Sequence, residues 1–193
     1  MRFNLAGSGL DYSTYLGGSQ NDQAFWIGLR PTGRVLLLGA TKSPDFPLVH
    51  PADGQLSAAR PDLFVTRFAA DSRDIVFSTF YKGSLARPNL FMDMQAVTTE
   101  GHANGTVHLA STYYHADDIP ITADARWKSP SLYTLFRLDE EGRLLTSTYV
   151  PDTLLESFID IGSDLAGNVY LLFSIERTTP PMVTADALMP RGH

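Results

Sequence analysis

Apolar positions along the chain fall in short runs separated by clusters of Gly, Pro, Asn and Asp, and no stretch carries the 3.6-residue period of an amphipathic helix. Val35 to Gly39, Val107 to Ala110 and Val169 to Phe173 are such runs, each preceded by a glycine turn at Gly33, Gly105 or Gly167. Branched and aromatic side chains pack well on a pleated surface, so these segments predict β-strands. Asn104-Gly105 fits a type I′ hairpin, whose two central residues need positive φ. Pro44, Pro47, Pro51, Pro120, Pro180 and Pro181 sit in the connections, where a missing N–H breaks no ladder. The pattern predicts an all-β chain.

The pattern also repeats. Ser13-Thr14-Tyr15 returns as Ser78-Thr79-Phe80 after 65 residues and as Ser147-Thr148-Tyr149 after a further 69. Arg2-Phe3, Arg67-Phe68 and Arg137-Leu138 precede the three triplets. Phe91-Met92-Asp93-Met94 matches Phe158-Ile159-Asp160-Ile161, with Ala24-Phe25-Trp26-Ile27 in the same place in the first copy. Asp45-Phe46-Pro47-Leu48 matches Asp118-Ile119-Pro120-Ile121, and Ile121-Thr122-Ala123-Asp124-Ala125 returns as Val183-Thr184-Ala185-Asp186-Ala187. Each copy reads as four short strands, and four-stranded units repeated radially make propeller blades.

Ser13-Thr14-Tyr15-Leu16-Gly17-Gly18-Ser19-Gln20-Asn21-Asp22, the turn at Gly33, Thr41-Lys42-Ser43-Pro44-Asp45-Phe46-Pro47 and Asp62-Leu63-Phe64-Val65-Thr66-Arg67-Phe68 resemble the signature of the bacterial SBBP-type β-propeller repeats. The resemblance spans nearly the whole chain and weakens in later copies, where Tyr81-Lys82-Gly83-Ser84 and Val150-Pro151-Asp152-Thr153 replace the Leu-Gly-Gly-Ser loop. It implies a propeller, often part of a large extracytoplasmic protein, and no shared catalytic residue. The expected fold is an all-β propeller of four-stranded antiparallel blades, three blades' worth in residues 1–193, as one propeller or half-propeller domain. Its units run over about 10–74, 75–143 and 144–193, with the terminal blade split so that residues 1–16 complete it. Propellers usually have about four to eight blades. Two chains therefore combine into a six-bladed ring, each giving its first strands to the next, or the chain is a stretch of a longer propeller.

Composition narrows the partners. The 193 residues are 44% hydrophobic and 19% charged, enough apolar content for a packed core without staples. The absence of cysteine excludes disulfides, thiolate nucleophiles and CxxC metal or redox sites. A net charge of −6 argues against nucleic acid, which needs a cationic face to displace counterions. No apolar run approaches the roughly 20 residues of a membrane-spanning helix. No signal-type stretch opens the sequence, so the chain reads either as cytoplasmic or as exported with its signal removed.

Candidate binding chemistry falls in four places, each with a plainer alternative. Asp93 and Asp160 align on the first strand of their units, with Trp26 at the third such position. In a two-fold ring they would bring four carboxylates and two indoles towards the central channel, a setting for a hard cation. The alternative is carboxylates that accept backbone N–H groups and an indole that packs between blades. A longer turn in the second unit carries Glu100 and His102, an acid–base or ligand-binding pair if they face a partner and an idle surface loop otherwise. Tyr113-Tyr114-His115-Ala116-Asp117-Asp118 combines rings with carboxylates, as sugar- and peptide-binding surfaces do, or simply edges a blade. Trp127 lies in another long connection, fit for a binding rim or an assembly contact.

No GxSxG elbow, P-loop, dinucleotide fingerprint or HExxH spacing occurs, so no catalytic residue, resident metal or cofactor is assigned. The expected function is a self-associating binding scaffold that presents loops to a peptide, protein or glycan. One alternative is a carbohydrate-active enzyme using paired carboxylates among Asp93, Asp160, Glu100 and Asp117. Retaining glycoside chemistry would need two of these roughly 5 Å apart. The other is a structural fragment of a larger surface protein.

Overall fold

A computed structural model describes residues 1–29, 33–52, 54, 62–71, 73–81, 95–98, 107–112, 119–131, 133–151, 157–164, 166 and 168–174. Among these there is no helix. Twelve strands run in order: β1 (Arg2–Phe3), β2 (Leu10–Tyr12), β3 (Asp22–Leu29), β4 (Val35–Thr41), β5 (Asp62–Phe68), β6 (Ile75–Tyr81), β7 (Gln95–Thr98), β8 (Val107–Thr112), β9 (Tyr133–Leu138), β10 (Leu144–Val150), β11 (Ser157–Ser163) and β12 (Val169–Ser174). They form two four-stranded antiparallel sheets, β3-β4-β5-β6 and β7-β8-β9-β10, and two two-stranded ones, β1-β2 and β11-β12. Each four-stranded sheet is a plain meander, so every strand pairs with its neighbour in sequence.

Residue alternation along the strands decides how the sheets stack. Leu36, Leu38 and Ala40 of β4 and Leu63 and Val65 of β5 point to one side, where they join Phe136 and Leu138 of β9 and Tyr149 of β10 in the largest core cluster. The intervening Phe64 points to the other side and packs with Phe46 and Phe80, with Leu37 beside them. On β9 the opposite set, Tyr133 and Leu135, meets Ile161 of β11 and Val169, Leu171 and Phe173 of β12. The two four-stranded sheets and β11-β12 thus stack in chain order; β7-β8-β9-β10 is covered on both sides by its neighbours, while the second face of β3-β4-β5-β6 is covered by Phe46 and Leu48 of its own β4–β5 connection and by Leu16.

Register reveals repetition finer than the strand count. Arg2 pairs with Tyr12 but Phe3 with Leu10, so β2 carries one extra residue. The same bulge recurs where Arg67 pairs with Phe77 and Phe68 with Ile75, and where Arg137 pairs with Thr146 and Leu138 with Leu144. The first strands β3 and β11 share another bulge: Ala24 and Trp26 face Gly39 and Leu38, as Phe158 and Asp160 face Phe173 and Leu172. Hence β1-β2 is built like the third and fourth strands of a complete sheet, and β11-β12 like the first and second.

Successive sheets are clamped by the turn after β9. Gly142 stands there at φ 81°, a left-handed conformation that favours glycine. Its carbonyl accepts the buried Tyr81 hydroxyl at 2.6 Å, while the Glu140 carbonyl accepts Arg67 Nη1 at 2.7 Å. Arg34 reaches the Glu140 carboxylate at 3.1 Å. The Phe77 ring lies where a Cβ on Gly142 would fall. Gly142→Ala is therefore expected to lower stability by roughly 2–4 kcal/mol, combining left-handed strain with overpacking. The midpoint of urea unfolding measures this, and an unchanged midpoint would show that the turn does not clamp the sheets.

Candidate functional site

The first strands β3, β7 and β11 lie beside one another, so the repeated units converge along them. Trp26 and Asp160 occupy one register position, opposite Leu38 and Leu172 respectively. The second unit departs from the expectation. Gln95 faces Ala110, and Val107 faces Thr98, so Gln95 holds the place corresponding to Trp26 and Asp160. Asp93, assigned to that place from sequence, precedes it by two residues. A slip of two keeps the same alternation of faces and leaves the apolar pattern intact, which is why pattern matching missed it. The extra length of the second unit correspondingly falls after β7.

Trp26 is partly buried against the main core and its ring fills the space beside Gly28, where any Cβ would collide with it. That is the packing role. Asp160 is exposed and accepts the Ile161 N–H at 2.8 Å. Among the described residues no group of three His, Asp or Glu side chains is placed to hold a metal ion.

Trp127 lies elsewhere. Its backbone carbonyl accepts the Tyr149 N–H at 3.1 Å, and the Thr148 hydroxyl bonds to its carbonyl and its N–H. Thr122 likewise bonds to Ser147 through both backbone and hydroxyl. The segment between the second and third strands therefore covers the outer edge of the fourth, as Val49 does by bridging Ser78 on β6. Covering this edge protects it from pairing with foreign strands. Arg126 stacks its guanidinium 5.1 Å from the Trp127 ring centre. Trp127 and the first-strand residues Trp26 and Asp160 thus belong to opposite edges of their sheets. Asp93, Glu100, His102, Tyr113, Tyr114, His115 and Asp117 lie outside the described residues.

A polar clip that motif reasoning did not single out organises the Gly17-Gly18-Ser19 loop. Asp22 accepts the Gly18 N–H at 2.8 Å and the Ser43 hydroxyl at 3.0 Å. Asp45 accepts both the Ser19 N–H and hydroxyl at 2.7 Å, and Ser43 accepts the Gln20 N–H at 2.8 Å. A side chain at Gly18 would strike Asp45 and Ser43, so the close approach requires glycine. The clip ties the chain entering β3 to the chain leaving β4. In the sequence Asp22, Ser43 and Asp45 show only as turn-forming residues of the Ser13–Asp22 and Thr41–Pro47 segments, with no spacing that marks them as partners.

Comparison with protein-family models, with curated proteins and with solved structures gives no match. None of the described residues forms a helix long and apolar enough to cross a membrane.

The clip makes an acid-sensitive contribution. The Ser19 N–H, with the Ser19 hydroxyl second, holds the Asp45 carboxyl below its ordinary range. A lowered native pKa gives stability that is present above the unfolded value near 3.9 and lost as pH falls through the native one. Asp45→Asn is therefore expected to narrow the drop in melting temperature between pH 7 and pH 3. An undiminished drop in the variant would show that Asp45 plays no part in acid sensitivity.

Proposed function

We propose that the protein is a non-catalytic β-propeller repeat scaffold of the SBBP type, assembling two chains into a six-bladed ring whose loops bind a peptide, protein or glycan. The observation that carries this is the repetition of one four-stranded meander, with the same third-to-fourth-strand bulge in β5-β6, β9-β10 and the half-sheet β1-β2. Convergence of β3, β7 and β11 supports a ring axis along the first strands. Packed sheets of this kind are rigid, and loops held on a rigid frame are where binding residues concentrate.

Support for a non-catalytic role lies in how the candidate side chains are engaged. Trp26 packs and Trp127 belongs to a loop that covers an edge. Of the four carboxylates named for glycoside chemistry, Asp160 is the one among the described residues, and it is exposed with its hydrogen bond to a backbone N–H. A buried or closely paired carboxyl with a raised pKa is what general-acid catalysis needs.

Two measurements test the proposal. Light scattering is expected to give twice the 21.2 kDa mass of one chain, and a single-chain mass at micromolar concentration would contradict the ring. Screening peptides and oligosaccharides by thermal shift is expected to find a ligand that raises the melting temperature with concentration. Release of reducing sugar from an oligosaccharide, lost on replacing Asp160, would overturn the non-catalytic role.

A further inference from the structure

We infer that the open edge of β12 is completed by β1-β2 of a second copy, with Arg2 opposite Tyr170 and Phe3 opposite Val169. This rests on the two-chain ring proposed above and specifies its joint. Second strands are internal in both complete sheets: β4 lies between β3 and β5, and β8 between β7 and β9. Among the described residues β12 pairs with β11 alone, and β1, which is built as a third strand, pairs with β2 alone. Each half-sheet lacks what the other supplies.

The register follows from the two internal examples. Val35 faces Phe68 and Leu36 faces Arg67 across β4-β5. Val107 faces Leu138 and His108 faces Arg137 across β8-β9. By the shared first-strand register Val169 and Tyr170 correspond to Val35 and Leu36, while Arg2 and Phe3 correspond to Arg67 and Phe68. Carrying the pairing over places Arg2 on Tyr170 and Phe3 on Val169.

Burial at corresponding positions agrees. Phe80 and Tyr149 are 1% and 2% exposed, whereas Tyr15, in the same place of the same triplet, is 102% exposed. Leu36 is 2% exposed and Tyr170 is 59% exposed. The turn after β1 repeats the clamp turn: Gly7 takes φ 68° and donates its N–H to Asn4, as Gly142 donates to Asp139. Yet Gly7 has open space where Gly142 meets Phe77. The surface awaiting it on the preceding sheet is also recognisable. Arg67 uses its guanidinium on the Glu140 carbonyl, and its counterpart Arg137 has a buried Nε with no hydrogen-bond partner among the described residues. In the completed joint the Leu5 carbonyl of the second copy, corresponding to that of Glu140, comes to Arg137.

The chain has no cysteine, so paired substitutions report proximity without background. Arg2→Cys and Tyr170→Cys, both at exposed positions, are made as separate variants of the full chain, mixed and mildly oxidised. A disulfide requires Cα atoms within about 7 Å. The expected result is a covalent heterodimer in high yield. Arg2→Cys mixed with Leu172→Cys, two residues out of register on the same face, should give little. Light scattering on the same unoxidised samples separates the two levels. A dimer that cross-links equally or better through Leu172, or through neither, overturns this joint while leaving the two-chain ring standing. A single-chain mass with no cross-link overturns both, and so does a disulfide that closes within one chain in the Arg2→Cys/Tyr170→Cys double variant.

Discussion

Every complete sheet in this protein has two apolar faces, and a two-faced sheet must be covered on both sides. Leu36 and Leu38 on one side of β4 and Leu37 on the other leave no face that water can wet cheaply. Stacking covers one face of β3-β4-β5-β6 and both of β7-β8-β9-β10, and Phe46, Leu48 and Leu16 cover the remaining face. Each buried Leu, Phe or Tyr contributes roughly 1.5–3 kcal/mol relative to exposure, so the faces outweigh any single polar contact between sheets. The two four-stranded sheets and β11-β12 follow one another in the stack in the order of the chain.

Polar contacts fix the spacing that apolar faces alone would leave loose. The clamp turn reads three features of the preceding sheet: the Arg67 guanidinium, the Tyr81 hydroxyl and the Phe77 ring. Its own conformation is held by Asp139, which accepts N–H groups from Glu141 and Arg143 and the Arg143 guanidinium at 2.6 Å. The clip at Asp22, Ser43 and Asp45 does the equivalent work at the other end of the first sheet. One set of contacts links sheets to each other, and the other links the entrance of a sheet to its exit.

The sequence disclosed the all-β class and the division into two, four, four and two strands, because alternation, turn glycines and the Ser-Thr-aromatic triplet survive in each copy. It placed the first strand of the second unit two residues early, since period-two alternation is blind to an even slip. Trp26 and Trp127 stood out by residue type, and it took the third dimension to place one beside Gly28 against the main core and the other in a segment that covers the outer edge of β10. The clip was overlooked for the opposite reason. Its partners lie up to 26 residues apart, and Asp, Ser and Gly in loops carry no pattern of their own until the loop closes. The Arg-Phe positions before each triplet were legible as a repeat, but their bulged register was not.

The central claim is that β12, paired on one side only among the described residues, is joined on its other side by a second copy of the chain. Amide hydrogen exchange along β12 in the intact protein tests it most directly. An unpaired edge leaves alternate N–H groups facing water, while an internal strand protects both sets. The account predicts that successive amides from Val169 to Leu171 exchange as slowly as their counterparts from Val35 to Leu37 on β4. Fast exchange at every second one of these β12 amides, at a concentration where the protein is fully assembled, would contradict it.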